Sequence, residues 1–383
     1  MNVVVACLML VGLAALDPPD DPSPHLNIIA KTGPQGEGSA AAKVARDELA
    51  KHGVEVLPKL LVAMDSSNAV AANWYRTVYE EIVARELSRD GTKWPVKFFK
   101  EYVSDAKRVG RPRRLVLGLL DKLEPAFREG WLPTRLDDAE FRYEAVGLAL
   151  TAGDRALKDK DQTAAKTEFR KAFEAARDST QVTQAAAKLK SLGEPADAIT
   201  HLGLVVDWWL VGPFDAPAKT GFAAVFEPEK KLDLQAKYLG QGGAEIAWKK
   251  HHETDTLGQL DLNKQLGLGT TREAVAYAYS EIDVPRDQAA QVRCGADDNC
   301  SVWLNGEKVF GRDQWLNGTR FDRFVTPIQL KAGRNTLLVK VCQGPQHKDP
   351  EVPNNWSLQL RLSDADGRGI AFTPSRLQLR DSD

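Results

Sequence analysis

Two short stretches in the C-terminal half constrain the fold of this chain most strongly. Residues 297–310 read DDNCSVWLNGEKVF and residues 331–343 read KAGRNTLLVKVCQ, so both alternate apolar and polar side chains. Alternation with a period of two is typical of strands with one buried face. The Asn-Gly pair at 305–306 tolerates positive φ, which predicts a tight hairpin between 300–304 and 308–310. An antiparallel sheet is therefore predicted here.

The period of the apolar residues changes along the chain. Across residues 39–195, apolar and alanine side chains recur at three- and four-residue intervals, which predicts packed amphipathic helices. After His201 the period becomes two. A chain of 383 residues is long enough for two domains with separate cores. We therefore predict a multidomain α plus β protein, with an α-helical repeat-like domain at 39–195 and an antiparallel β-sandwich at 203–380.

The helical half resembles known repeats. Residues 42–64, AKVARDELAKHGVEVLPKLLVAM, and the predicted helix 69–87 resemble a HEAT repeat, in which Pro58 belongs to the second helix. Small residues within 164–176 are spaced as in tetratricopeptide-like hairpins. The pattern gives one repeat rather than an array. The resemblance implies a helical domain that contacts other proteins.

The C-terminal half resembles the galactose-binding-like jelly roll, including the sugar-binding domain of family-2 glycoside hydrolases. The shared features are the acid pair at 297–298, the W-L-N-G hairpin and the pattern P-x-x-L-x-A-G-x-N-x-L-x-V-K-V at 327–341. Such modules bind sugars, lipids or proteins, or brace a neighbouring domain. The strand DWWLVGPFD at 207–215, after a helical region, also resembles a recurring exported bacterial architecture.

The acid pair is the first candidate site. Asp297 and Asp298 resemble the pair with which the protective-antigen type of lectin module holds calcium and sugar, although Asn299 stands where that pattern usually has glycine. Calcium prefers several oxygen ligands in flexible geometry, and carboxylates also accept sugar hydroxyls. The alternative is that both side chains bond to their own turn backbone. Calcium is the one cofactor that the sequence suggests.

The loop after the hairpin carries the second set of candidates, with an aromatic ring, an amide and two guanidinium groups. They are Trp315, Asn317, Arg320 and Arg323, and Trp356 follows a comparable loop. A flat ring beside polar groups suits a sugar face and its hydroxyls. Alternatively, Trp315 closes one end of the sandwich and the arginines pair with Asp313 and Asp322.

Two cysteines are placed to meet in the predicted core. Strand alternation puts Cys294 and Cys300 inside, across a short turn, so a disulfide between them is predicted, with two buried thiols as the alternative. Cys342 has the opposite parity from Val341 and is a poor partner for Cys300. No cysteine spacing suggests zinc.

The N-terminal residues predict export. Residues 1–16 are apolar and too short to span a bilayer, so they are interpreted as a signal peptide for a periplasmic or extracellular protein, without a transmembrane segment. Val4 to Cys7 also fits a lipoprotein cleavage box, which leaves lipid anchoring as a less favoured alternative. Residues 17–38 are rich in Pro, Asp and Gly and are predicted to be a flexible linker.

Composition and motifs disfavour several classes of function. The formal charge of −2 gives no reason to expect nucleic acid, and the basic run at 107–114 lacks nearby stacking aromatics. The sequence contains no nucleophile elbow, H-E-x-x-H motif, phosphate loop or dinucleotide fingerprint. We therefore predict a non-enzymatic protein that recognises carbohydrate through its sandwich loops and protein through its helices. The alternatives are a scaffold without a small ligand and, less favoured, a hydrolase or a hydrolase accessory component.

Overall fold

The computed structural model confirms the predicted fold class, with helices in the N-terminal half and antiparallel sheets in the C-terminal part. The structure describes residues 21–65, 68–266, 272–313, 315, 318–345, 348–349, 351–352 and 354–374. The chain divides into two compact units, of which the first ends at Thr134 and the second begins at Arg135.

The first unit is helical. Its helices are α1 (Ser23–Ala30), α2 (Ser39–Leu49), α3 (Leu57–Met64), α4 (Ala69–Leu87), α5 (Val96–Ser104), α6 (Gly110–Leu123) and α7 (Ala126–Trp131). Helix α4 has the predicted bounds, because Asn68 caps it by accepting hydrogen bonds from the amides of Val70 and Ala71. Pro58 lies in the first turn of α3, where backbone N–H groups have no acceptor within the helix, so a residue without an N–H is tolerated. The HEAT resemblance itself is not confirmed.

The predicted flexible linker at 17–38 contains helix α1, so that prediction is wrong for the helical part. Ile29 is fully buried, and the Tyr75 hydroxyl donates a 2.7 Å hydrogen bond to the Leu26 carbonyl. Pro22 stands at the N-cap of the helix and Pro24 lies in its first turn, where proline is tolerated, while the glycines of the predicted linker follow the helix. The apolar residues that follow bury α1 against the rest of the unit.

The second unit begins with four helices and continues into the sheets. The helices are α8 (Arg142–Lys158), α9 (Gln162–Ala175), α10 (Ser179–Ser191) and α11 (Ala198–Leu202). Helix gives way to strand between Leu202 and Asp207, close to the predicted start of the sandwich at 203. Helices α8 to α10, which the sequence assigns to the helical domain, belong to the same compact unit as the sheets, and so does α11, which lies between the two predicted domains.

Thirteen strands and two short helices complete the described part of this unit. They are β1 (Asp207–Asp215), α12 (Glu227–Lys230), β2 (Lys237–Leu239), β3 (Glu245–Ala247), β4 (Lys249–His252), β5 (Leu260–Asp261), α13 (Leu262–Leu266), β6 (Ala274–Val284), β7 (Gln288–Asp297), β8 (Cys300–Leu304), β9 (Glu307–Arg312), β10 (Phe324–Leu330), β11 (Gly333–Gln343), β12 (Ser357–Ser363) and β13 (Thr373–Pro374). The larger sheet has the order β4-β1-β6-β11-β8-β9, and β13 also pairs with β6. The smaller sheet has the order β10-β7-β12-β5, and β2 pairs with β3.

The two larger sheets share one apolar core, as expected for a β-sandwich. Val302 and Val339 of the larger sheet cluster with Val292 and Leu360 of the smaller sheet. The predicted hairpin is confirmed, because β8 and β9 are joined by Asn305 and Gly306 with φ angles of 53° and 84°. These positive values are the ones that Asn and Gly tolerate best.

A buried arginine connects α11 to the sandwich. Arg361 of β12 is 1% exposed, and its Nη1 donates 3.0 Å hydrogen bonds to the carbonyls of Leu202 and Gly367. Its charge is compensated by Asp322, whose Oδ1 accepts a 2.7 Å hydrogen bond from Nε. Within the part of the chain that the structure describes, all helices are too short or too polar to cross a membrane.

Candidate functional site

The acid pair lies where the chain crosses from one sheet of the sandwich to the other. Asp297 is the last residue of β7 in the smaller sheet, and Cys300 begins β8 in the larger sheet. Asp297 also pairs with Ser357 of β12, which fixes its backbone at the edge of the core. The alternating strands and the short turn therefore place the two carboxylates at the rim of the sandwich, as predicted from the sequence.

Each carboxylate of the pair is held by a backbone amide from a different loop. Asp297 Oδ2 accepts a 2.9 Å hydrogen bond from the amide of Gly318, which lies between β9 and β10. Asp298 Oδ2 accepts a 2.8 Å hydrogen bond from the amide of Gly344, which follows β11. The peptide bond between Asp297 and Asp298 is cis. The acid pair thus organises three loops around itself.

Burial raises the pKa values of both carboxyl groups of the pair. Burial raises the pKa of Asp298 from 3.8 to about 7, and the neighbouring Asp297 adds to this rise. The pKa of Asp297 is also raised, again chiefly by burial, although the Gly318 amide and the charge of Arg323 oppose the rise. The hydrogen bond between the two side chains favours a shared proton, with Asp298 as the protonated partner.

Asn299 adds an oxygen without a partner. Its side chain is 1% exposed, and Nδ2 donates a 2.9 Å hydrogen bond to Asp313 Oδ1. The other end of the same amide, Oδ1, is buried and accepts no hydrogen bond in the described structure. A buried acceptor without a donor lowers the stability of the fold by roughly 1–3 kcal/mol. A ligand or an ion that interacts with Oδ1 would remove this cost.

Trp315 lies next to the acid pair. A side chain at Gly344 would come within 2.9 Å of Asp298 Oδ2 and 3.1 Å of the Trp315 ring, so glycine at this position allows the ring and the carboxylate to approach each other. Trp315 is half-buried, and the Lys219 ammonium lies 4.9 Å from the centre of its ring. We call Asp297, Asp298, Asn299, Asp313 and Trp315 the rim site.

The two arginines of the loop have different positions. Arg320 is exposed, and its carbonyl packs so closely against Gly295 that any side chain at 295 would collide with it. Arg323 is close enough to lower the pKa of Asp297, and its Nη1 is buried without a partner among the described residues. The alternative pairing of these arginines with Asp313 and Asp322 is not found in the described structure, because Asp322 binds Arg293 and Arg361 instead. Asn317 lies outside the described residues.

Trp356 is not part of the site, and its prediction as a ligand-binding residue is wrong. It is 1% exposed and packs in the core between the sheets, where Nε1 donates to the Val341 carbonyl. The loop before it suggested exposure. The ring is buried in the core instead, because burying its large apolar surface stabilises the fold.

The predicted disulfide is not formed in the structure. Cys294, Cys300 and Cys342 are free and buried, which is the alternative that the sequence leaves open. Cys294 and Cys300 face each other from opposite sheets, and their side-chain contact and burial raise the pKa of Cys294. Cys342 faces the other side of the larger sheet, as its parity predicts.

Sequence reasoning missed three contributors to the site. The sequence suggests Asp313 only as a partner of the arginines and suggests no role for Lys219 or Gly344. Gly344 directly follows the predicted strand at 331–343. That place at the end of a strand is the sequence signal that points to the rim. Lys219 is far away in sequence and carries no such signal.

The rim site contains two carboxylates and one amide oxygen, which are ligand types that calcium accepts. No group of three or more His, Cys, Asp or Glu side chains converges within the described ranges. Asp297 and Asp298 would supply carboxylate oxygens, and the unpartnered Oδ1 of Asn299 would supply an amide oxygen. Calcium takes such mixed oxygen ligands and accepts water for the remaining positions.

Comparisons with known proteins do not assign a family. No protein-family model matches the chain, and no curated protein matches it. A β-glucosidase from Kluyveromyces marxianus in complex with glucose is similar at 10% identity and a TM-score of 0.28, over 41% of this chain and 16% of that one. A PA14 sugar-binding domain from an RTX adhesin is similar at 10% identity and a TM-score of 0.22, over 44% of this chain and 96% of that one.

A third similar structure is a GH2 β-galacturonidase from Eisenbergiella tayi bound to glycerol, with 10% identity and a TM-score of 0.23, over 42% of this chain and 25% of that one. The chain therefore spans a small part of both enzymes to which it is similar. TM-scores this low establish neither the fold nor the function of the chain.

Proposed function

We propose that this chain is a non-catalytic, exported binding protein whose rim site recognises carbohydrate with the help of calcium. The observation that carries the proposal is the pairing of Asp297 and Asp298, two mostly buried carboxylates with raised pKa values beside the unpartnered Oδ1 of Asn299. Such an arrangement is unfavourable without a cation and favourable with one.

Calcium, when bound, supplies positive charge and open coordination positions that sugar hydroxyls can fill. The protein's own groups provide the rest of the recognition surface. The half-buried ring of Trp315 offers an apolar face for a sugar ring beside Asp298. Arg320 and Arg323 carry N–H donors for the hydroxyl oxygens of a sugar. The Nη1 of Arg323 makes no hydrogen bond among the described residues, so no existing bond is lost when it binds one.

We assign the helical first unit to contacts with protein. Its surface includes apolar side chains that are well exposed, among them Val44 at 64% and Val62 at 49%. Val44 and Val62 lie on α2 and α3, the helices that resemble a HEAT repeat, and that resemblance implies contacts with other proteins. The apolar residues 1–16 support export, with a signal peptide removed from the mature protein.

A scaffold without a small ligand is the second candidate. It is favoured by the position of Lys219, whose ammonium lies over the Trp315 ring and covers one face of it. In that case the rim site joins three loops and binds nothing else. The two functions differ in whether calcium and sugar bind, which is directly measurable.

The deciding experiment is calorimetric titration of the full chain with calcium, followed by a glycan array with and without calcium. Glycan binding that requires calcium, and that Asp298→Asn and Trp315→Ala each abolish, is the expected result. Glu307→Gln is the matched control, because Glu307 is an exposed acid in the neighbouring hairpin and lies outside the rim site. Absence of both calcium and glycan binding would establish the scaffold instead.

A further inference from the structure

A cavity in the second compact unit lies apart from the rim site. It has a volume of about 330 Å³ and is bordered by α8, α10, β7 and the turn after β12. Its lining is rich in arginine and includes Arg142, Tyr143, Arg177, Gln181, Arg293 and Asp366. The volume is at the lower end of the range for small-molecule sites. None of the rim-site residues lines it.

The arginines of this cavity are incompletely neutralised. Arg142 Nη2 forms a 2.6 Å ion pair with Asp366 Oδ2, so that charge is matched. Arg293 Nη1 lies 3.0 Å from Asp322 Oδ2, but the same carboxylate also binds Arg361. Two guanidinium groups therefore share one carboxylate. One positive charge next to the cavity remains without its own counter-charge.

Arg177 has no carboxylate partner among the described residues. Its Nη1 donates to the carbonyls of residues 174–176 at the end of α9, at 2.7 to 3.0 Å. Its Nε is buried and has no hydrogen-bond partner. Burial, followed by the positive charges of Arg142 and Arg368, lowers the pKa of Arg177. Asp366 and Asp364 oppose this effect, and an anion bound in the cavity would reduce the remaining repulsion between the guanidinium groups.

We propose that this cavity binds a single carboxylate group, as carried by an acidic sugar, at Arg177 and Arg293. The three lining arginines face two lining acids, Asp178 and Asp366, so the lining has a net charge of three minus two, or +1. That charge matches one carboxylate rather than a doubly charged phosphate. Because Nε and Nη2 of Arg293 already donate to Gln291 Oε1, this arginine would attract the carboxylate chiefly through its charge.

Two neighbours of the arginines complete the proposed site. Asp178 caps α10, because its Oδ1 accepts hydrogen bonds from the amides of Thr180 and Gln181. These hydrogen bonds hold its carboxylate at the start of the helix, so it cannot move closer to the ligand. Tyr143 lines the cavity and is 61% exposed, which gives a sugar ring an apolar surface beside its carboxylate. The ligand therefore combines one negative charge with a sugar ring whose C–H face can pack against Tyr143.

The test is calorimetric titration of the full chain with D-glucuronate, D-glucose, acetate and N-acetylaspartate in calcium-free buffer. Saturable binding of D-glucuronate, weaker binding of acetate and none of D-glucose are expected. Arg177→Gln should weaken D-glucuronate binding at least tenfold, whereas the control Arg155→Gln, an exposed arginine on α8, should leave it unchanged. No saturable binding by the native chain, or equal affinities of native chain and Arg177→Gln, would overturn the proposal.

Two further measurements protect the result from a folding artefact. Arg177 holds the end of α9, so Tyr143→Ala is the second variant, because its backbone carbonyl can still accept from Gln181 Nε2. This variant should weaken D-glucuronate binding several-fold and leave acetate binding unchanged. An unchanged affinity for D-glucuronate would overturn the acidic-sugar assignment. So would binding of N-acetylaspartate by the native chain as tightly as D-glucuronate. Asp298→Asn should bind D-glucuronate normally, which separates this cavity from the rim site.

Discussion

Asp297 and Asp298 are joined by a cis peptide bond, and their carboxylates accept hydrogen bonds from the amides of two different loops, at Gly318 and Gly344. These hydrogen bonds connect the loops at the rim of the sandwich. Burial raises the pKa values of both carboxyl groups. Their ionisation is linked to folding and to any cation that binds them.

The first prediction concerns the stability of the calcium-free protein as a function of pH. The pKa of Asp298 is raised from 3.8 to about 7, so its folded state binds a proton more tightly than its unfolded state. Its stabilising contribution is complete below the unfolded pKa of 3.8 and is lost as pH rises through about 7. We expect this contribution to the free energy of unfolding to fall across that range, measured by urea denaturation in the presence of a chelator.

Asp298→Asn is the control for this pH dependence. The amide keeps an oxygen that can accept from the Gly344 amide, but it does not ionise. The difference in free energy of unfolding between variant and native chain should grow in favour of the variant as pH rises. A difference that stays constant from acid to neutral pH would show that Asp298 has an ordinary pKa.

The second prediction concerns calcium. Because calcium binds the ionised carboxylates, it should raise the melting temperature of the native chain more at pH about 8 than at pH about 5. Asp298→Asn should lose most of this rise, whereas Glu307→Gln should keep it. Differential scanning calorimetry with calcium and with magnesium measures the effect. An equal rise in Asp298→Asn and in the native chain would place the calcium elsewhere.

The sequence predicted the sandwich because local patterns fix its strands. The Asn305-Gly306 turn and the alternation around it determine the hairpin without help from distant residues. The same alternation correctly placed Cys294 and Cys300 in the core. It also predicted a turn over residues 295–299 for the acid pair, whereas β7 continues to Asp297 and only residues 298–299 lie between β7 and β8.

The rest of the site depends on contacts that no local pattern encodes. Lys219 reaches the Trp315 ring from an excursion that precedes β6, and Asn299 binds Asp313 across the hairpin. Trp356 follows a polar loop just as Trp315 does, but it is the first side chain of the β12 region to enter the core. Two tryptophans in similar local sequence thus have opposite exposure, because only the packing of the two sheets decides between them.

The third prediction separates these two tryptophans. Trp356→Ala should lower the free energy of unfolding by about 3–5 kcal/mol, because it leaves a cavity in the core between the sheets. Trp315→Ala should cost much less, because the ring is only partly buried, and its main effect should be loss of glycan binding. Chemical denaturation and the glycan array measure the two effects. A Trp315→Ala variant as unstable as Trp356→Ala would mark Trp315 as a structural residue.

The fourth prediction concerns a buried ion pair on the outer face of the larger sheet. Lys340 of β11 is 1% exposed, and its Nζ lies 2.8 Å from Glu229 Oε1 of α12. The ammonium also donates to the carbonyls of Phe222 and Ala224, and Glu229 accepts from the Tyr277 hydroxyl. The pair therefore attaches the excursion between β1 and β2 to the sheet.

Lys340→Met should lower the free energy of unfolding by about 3–5 kcal/mol, because it leaves the largely buried Glu229 carboxylate without its counter-charge. Glu229→Gln in the same chain should recover part of that loss, since the neutral amide still accepts from the Tyr277 hydroxyl. A double-mutant cycle by urea denaturation gives the coupling between the two positions. Additive losses would mean that Lys340 stabilises the excursion through the Phe222 and Ala224 carbonyls rather than through the charge of Glu229.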